Sequence, residues 1–181
     1  MSTTVWWQQE TPIGEIVAVA GPDGVHRIWF EKRPVDISAI VGEAREGRDR
    51  AVARQLDEWF AGTRREFSLA IAWPADQSPF ARTVLQTLVE RVPWGETVSY
   101  GELAELSGRP RAARAVGTIM AGNRVPFVVP CHRVIAAGGR IGGYGGGRDA
   151  IELKRRLLAR EGVCIRSQSP GARGRAVPSN P

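Results

Sequence analysis

The stretch "VVPCHRV", residues 128–134, sets Cys131 directly before His132 in a chain with two cysteines and two histidines in all. A thiol becomes a nucleophile when a base or a positive charge stabilises its thiolate. His132 and Arg133 bring one of each within two residues. Adjacency does not turn the ring toward the sulfur, however, and a cysteine closing an apolar run is also ordinary inert packing. A third group lies downstream. In "AIELKRRLLAREG" the spacing predicts an amphipathic helix stopping at Gly162, with Glu161 on the face of Leu157 and Leu158. A carboxylate at a helix C-terminus opposes the helix dipole and calls for a partner. An imidazole would serve, so Cys131, His132 and Glu161 form a candidate Cys–His–Glu relay, suited to group transfer or to hydrolysis.

Several elements must position these groups. Pro126 and Pro130 bracket the apolar run before Cys131 and predict extended backbone there. "GGRIGGYGGG" reads as a flexible loop whose one aromatic, Tyr144, could close over a ligand. Upstream, Ser99 and Glu102 make an S-x-x-E capping box, so a helix should begin at Tyr100 and break over Ser107–Pro110. A second helix should bury Ala112, Ala115, Val116 and Ile119, leaving Arg111, Arg114 and Thr118 on its other side. That is a helix-turn-helix layout with exposed arginines. A solvated arginine face on a helix pair that binds nothing has the same pattern. The small residues Ala112, Ala113, Ala115 and Gly117 would let this helix approach either a groove or a neighbouring helix.

Charge separates the chain into halves. Residues 1–79 carry 9 basic and 12 acidic side chains, and residues 80–181 carry 16 and 7. The basic second half points to a polyanion, although 23 of the 25 basic residues are arginine, which also fits a compositional bias. In the first half, "EIVAVA" and "VHRIWFE" around "GPDG" predict a hairpin. "RAVARQLDEWFAG" predicts a helix that buries Val52, Leu56, Trp59 and Phe60, and "REFSLAIAW" a further strand. Trp6, Trp7, Trp29 and Trp59 read as core. The expected organisation is an α/β domain over 1–72 (small antiparallel sheet plus helix), a linker over 73–79, a mostly α domain over 80–165, and a disordered tail over 166–181. No secretory signal, membrane span, disulfide framework or metal-ligand spacing is visible, so a cytoplasmic protein without metal or cofactor is expected.

"PCHRV" preceded by "RAVGTIMAGNRVPFVV", with "VPWGETVSYGELA" upstream, resembles the O6-alkylguanine-DNA alkyltransferase family over roughly residues 76–162. The resemblance implies a ribonuclease H-like first domain, a helix-turn-helix second domain, and one irreversible transfer of an alkyl group from O6-alkylguanine in double-stranded DNA, with O4-alkylthymine a further candidate substrate. By matching position it implies Cys131 as acceptor, His132 as its base through a water, and Glu161 orienting the ring. It implies Asn123 as a brace for the active-site segment and Tyr100 as a hydrogen-bond donor to the guanine. Arg114 would fill the stack left by a flipped nucleotide. Ser99, Arg111, Ala112 and Ala113 would meet the minor groove and its phosphates, and Tyr144 and Gly145 would border the substrate. Gly145 stands where some members carry serine, and the glycine loop is longer than in some relatives. A monomer is implied, with cooperative binding on DNA left open. The alternative within the resemblance is a protein that binds alkylated DNA without repairing it.

Overall fold

The computed structural model describes residues 3–30, 42–144 and 148–165. Gly145 and the segment 166–181 lie outside them. The first half opens with β1 (Val5–Gln9), β2 (Ile16–Gly21) and β3 (Gly24–Phe30), joined by a short β4 (Arg45–Glu46). Their order is β3-β2-β1-β4, antiparallel except for the parallel β1–β4 pair, so the sheet is mixed and not antiparallel throughout. The hairpin at "GPDG" forms as its turn residues predict. β1 escapes a reading by apolar alternation because one of its two inward residues is glutamine. Gln9 is buried, accepts from Trp7 Nε1 at 3.1 Å and donates to Asp57 at 2.6 Å.

Helix α1 (Arg50–Ala61) lies on this sheet. Asp49 caps its N-terminus by accepting from Ala51 and Val52, and Gly62 ends it in the left-handed region. Its buried stripe includes Val52, Leu56, Trp59 and Phe60, as the spacing requires. The segment after it is not a strand. Only Val25 and Ile71 form a bridge, and the backbone of Ser68 is held by the side chain of Gln55.

The second half contains α2 (Pro79–Arg91), β5 (Val98–Ser99), α3 (Tyr100–Leu106), α4 (Ala113–Ala121), β6 (Val134–Ile135) and α5 (Arg148–Arg160). The capping box at Ser99 and Glu102 is formed on both sides, at 3.1 and 2.8 Å. The connection from α3 to α4 continues through Arg111 and Ala112, past the expected break at Pro110. In α4, Val116 and Met120 are buried, with Ala112 and Ile119 packed against the core, whereas Ala115 is exposed. The helix is rotated by about one position from the expected stripe because Met120 is the larger apolar residue to bury. Arg111, Arg114 and Thr118 stand exposed as expected.

One apolar core runs through both halves. Ile28 N–H donates to Arg124 O at 2.8 Å, so β3 bonds directly to the backbone ahead of the cysteine. Phe127 meets Phe30, Trp59 and Phe60 with ring centroids 5.2–5.5 Å apart. Among the described residues no helix is long and apolar enough to cross a membrane, and no group of three or more His, Cys, Asp or Glu is arranged to hold a metal ion.

Candidate active site

The segment before Cys131 is a tight turn, not the extended run its prolines suggest. Val129 N–H donates back to Val125 O at 2.9 Å, and Phe127 adopts φ 72°. A left-handed conformation at a bulky residue costs on the order of 1–3 kcal/mol and persists only where its surroundings impose it. Here Phe127 is 1% exposed among three aromatic rings, and Asn123 clamps the turn from inside. Asn123 Nδ2 donates to Val129 O at 2.9 Å, and Asn123 Oδ1 accepts from Val125 N–H at 3.1 Å. The chain then enters a single 3-10 turn, Cys131–Arg133, and continues into β6. The parallel ladder Val98↔Val134 and Ser99↔Ile135 brings Tyr100, the first residue of α3, to the same place.

His132 is fully buried, and its Nε2 lies 2.7 Å from Glu161 Oε1. An ionised carboxylate only accepts, so Nε2 carries the proton and Nδ1 of the neutral ring keeps its lone pair. Nδ1 is buried with no hydrogen-bond partner among the described residues. Burial pushes the His132 pKa down, as do the charges of Arg133 and Lys154, while Glu161 pulls it up. The net direction keeps the ring neutral and basic.

Glu161 follows the last turn of α5 and is 4% exposed. Burial would raise its pKa, but hydrogen bonds from His132 and Arg133 outweigh this and bring it to about 2. Arg133 binds it in a fork, at 2.8 and 3.0 Å, and donates to Val92 O at 2.7 Å. Planar bidentate pairing of this kind is what guanidinium geometry favours. Arg133 is a site residue that its position beside the cysteine hinted at and pattern reading passed over. Trp59 of α1 closes the cluster, its ring 6.2 Å from that of His132. The first half therefore supports the site, although its sequence displays no chemistry.

Cys131 is 7% exposed and opens on a cavity of about 620 Å³. Tyr100, Tyr144, Asn123, Met120 and Leu153 line it from the second half, and Trp29 and Phe30 line it from β3. Trp29 thus faces the cavity, unlike Trp7 and Trp59, which belong to the core. Sγ lies 3.9 Å from the Tyr144 hydroxyl. Burial pushes the thiol pKa up, against hydrogen bonds from Asn123 and Tyr144 and the charge of Lys154. The resting group is a thiol, and ionisation requires the base. The Tyr100 hydroxyl donates to Gly143 O at 3.3 Å; burial, then the Cys131 charge, raises its pKa, so it stays a donor. At Gly142 (φ 70°) an added Cβ would stand 3.3 Å from the Tyr100 ring and 3.2 Å from Ala136 N, so this close approach of the loop needs glycine.

Cys131, His132, Glu161, Asn123, Tyr100 and Tyr144 therefore converge. Arg111 and Arg114 are exposed and Ala112 and Ala113 half-buried at the start of α4, and Ser99 is half-buried at the start of α3. Ala112 offers α4 no side-chain cap, so the first N–H groups of that helix are unpaired by a side chain.

Comparison with known proteins gives a consistent result. The family model described as "6-O-methylguanine DNA methyltransferase, DNA binding domain" matches residues 79–163. The chain is 37% identical to the methylated-DNA–protein-cysteine methyltransferase of Methanosarcina acetivorans, over 86% of its own length and 96% of that protein. It is also 37% identical to the constitutive enzyme of that name from Bacillus subtilis, over 88% and 96%. Among solved structures it is similar to Mycobacterium tuberculosis OGT in complex with DNA, with 34% identity, a TM-score of 0.76, and 87% and 92% of the two chains covered.

Proposed function

This chain belongs to the methylated-DNA–protein-cysteine methyltransferase family, and from that membership we propose that Cys131 is the atom-level acceptor of a DNA repair reaction that each molecule performs once. The protein is a DNA-binding methyltransferase acting by direct reversal. The observation that carries the assignment of residues is the neutral His132, locked by Glu161, beside a thiol that opens on a cavity.

The step balances as follows. Nδ1 of His132 takes the thiol proton through one water. The sulfur lone pair forms the S–C bond to the alkyl carbon while the C–O6 bond breaks, its electron pair passing to the guanine. Tyr100, kept protonated by burial, donates toward the purine ring and offsets the charge on the leaving base. The thioether is chemically stable, so no second turnover follows. Asn123 holds the turn that aims the sulfur, and Tyr144 borders the alkyl group; Gly145 remains a proposed neighbour of the substrate.

A target carbon inside a duplex is unreachable unless its base leaves the stack. We read α3, its connection and α4 as a helix-turn-helix on DNA, with Arg114 filling the vacated stack. The Ser99 hydroxyl accepts from Glu102 N–H and keeps its own proton for a phosphate. Arg111 and the open start of α4 at Ala112 and Ala113 suit phosphates as well. The same reading takes the sheet with α1 as a ribonuclease H-like domain over 1–72, a linker over 73–79, an alkyltransferase domain over 80–165 and a tail over 166–181. It takes alkylated duplex DNA as substrate, a monomer as the working unit, and the cytoplasm as its setting.

Incubation with O6-methylguanine duplex DNA followed by peptide mass analysis tests this. One methyl mass on Cys131 is expected, and none in Cys131→Ala, which should still bind DNA. Tight binding by the native chain with no adduct would favour a non-repairing binder instead. An adduct on Cys164, which is exposed, would overturn the assignment of the acceptor.

A further inference from the structure

One charged group at the site has no role in the mechanism above. Lys154, on α5, is fully buried. Its Nζ donates to Val134 O at 2.6 Å and to Gly143 O at 3.1 Å, and forms no ion pair with a carboxylate among the described residues. A buried ammonium without a counter-charge is costly. Burial brings its pKa down to about 8, which still leaves it charged near neutral pH. Glu161, the one buried carboxylate at the site among the described residues, is already committed to Arg133 and His132. The resting cluster therefore holds a paired Arg133–Glu161, a neutral His132, a thiol, and one uncompensated positive charge.

That charge stands behind the wall onto which Cys131 opens. Lys154 Nζ is 5.9 Å from the ring centroids of both Tyr100 and Tyr144, and both tyrosines line the cavity with the sulfur. The groups that face it are Cys131, the two tyrosines and, more distantly, His132. The thiolate raises the Lys154 pKa, and Lys154 lowers that of the thiol. Composition adds an independent point: arginine fills 23 of the chain's 25 basic positions, and Lys154 is one of two lysines. A compact ammonium donates to two carbonyls in a closed space where a planar guanidinium would not fit the same geometry.

We propose that Lys154 is the counter-charge of the Cys131 thiolate: a positioning residue whose unpaired ammonium offsets the negative charge that forms on the sulfur when the thiol proton passes to His132. The inference rests on Cys131 being the acceptor. It gives the excess charge a use in the step that burial most opposes, and it explains why His132 can stay neutral at rest.

The test is the pH profile of Cys131 alkylation by iodoacetamide, read by peptide mass so that Cys164 is counted separately, in the native chain, Lys154→Met and Lys154→Gln. Gln keeps an N–H donor for the carbonyls but has no charge. Both variants should react about tenfold more slowly near neutral pH, the effect of a one-unit rise in thiol pKa, and the gap should close as pH rises. Methyl transfer from duplex DNA should fall in parallel. A loss equal at every pH, an unchanged profile, or full rescue by Gln would leave Lys154 a mere clamp and overturn the proposal. Should the native chain alkylate with iodoacetamide yet never accept a methyl group from DNA, the family-based reading fails while the Lys154 profile still reports on its own claim. If the variants do not fold, carbon NMR of the two lysine side chains answers the same question in the native sequence. Lys154 should titrate at higher pH with a free thiol than with Cys131 carboxamidomethylated, and equal titration would sink the idea.

Discussion

Glu161 and Arg133 sit almost without exposure behind Cys131, while Arg111 and Arg114 stand in solvent at the head of α4. The two regions carry similar charges under opposite rules. Behind Cys131, Glu161 and Arg133 have both been taken from water and are tolerable there only because each fixes the other at 2.8–3.0 Å. On α4 the guanidinium groups remain hydrated and available for a partner from outside. If the two regions have the proposed roles, chemistry is built where geometry cannot change, and recognition where side chains can still adjust.

The comparison breaks most sharply at Glu161. Glu161→Gln would leave Arg133 buried without its carboxylate, a loss of about 3–5 kcal/mol. Acid should act on the native chain in the same way. Glu161 has a folded pKa of about 2 against 4.5 for the free group, a depressed value, so its contribution is present above pH 4.5 and lost as pH falls toward 2. That shift is worth on the order of 3 kcal/mol. His132, also depressed by burial, adds a loss that begins below its ordinary value of 6.5. Urea midpoints measured across pH should therefore decline below about 6.5 and more steeply below about 4.5. In Glu161→Gln the lower limb should flatten, and a variant that kept the native slope would detach this carboxylate from the cluster.

How much of this could be read in the residues also divides between the two regions. The exposed face was legible because helical spacing alone sets which side Arg114 and Thr118 occupy, and the capping box fixes where α3 starts. Glu161 was legible as a misplaced charge on an apolar face. Lys154 lies on that same face, three residues before Leu157 and four before Leu158, and the same argument applied to it would have found it. The contacts of Arg133 with Glu161 and of Trp59 with His132 were not legible, since they cross 28 and 73 residues of chain. The turn at Phe127 was read as extended because two prolines restrict their neighbours, but a side-chain clamp from Asn123 decides the backbone between them. β1 and β4 were missed for a different reason: Gln9 is buried by a polar network, and Arg45 and Glu46 are both exposed, so neither strand shows apolar alternation.

On the exposed side the larger effect belongs to Arg114. If its guanidinium holds the space of an extruded base, Arg114→Ala removes about 1–3 kcal/mol of that support, a slowing of roughly one to two orders of magnitude on duplex substrate. Reaction with free O6-alkylguanine needs no extrusion and should be unchanged. Single-turnover rates on both substrates check this, and equal slowing would move Arg114 from the stack to the cavity. Stability should hardly change, in contrast to Glu161, because an exposed arginine leaves nothing buried behind it.

Arg111 joins the two rules in one residue, and its substitution should have the smallest effect. It adopts φ 72° while exposed, so its backbone is strained with no packing to compensate it, unlike that of Phe127. A non-glycine residue in that conformation costs about 1–2 kcal/mol, while glycine adds about 0.5–1 kcal/mol of unfolded-state entropy. Arg111→Gly should therefore leave the thermal midpoint level or slightly raised. If the side chain is present for phosphate, the same variant should weaken binding to any duplex and lower the dependence of log affinity on log salt by about one unit. A raised midpoint with unchanged binding would mean that the strain serves only the path of the connection into α4. A midpoint that fell would mean that the arginine side chain packs in a way its exposure conceals.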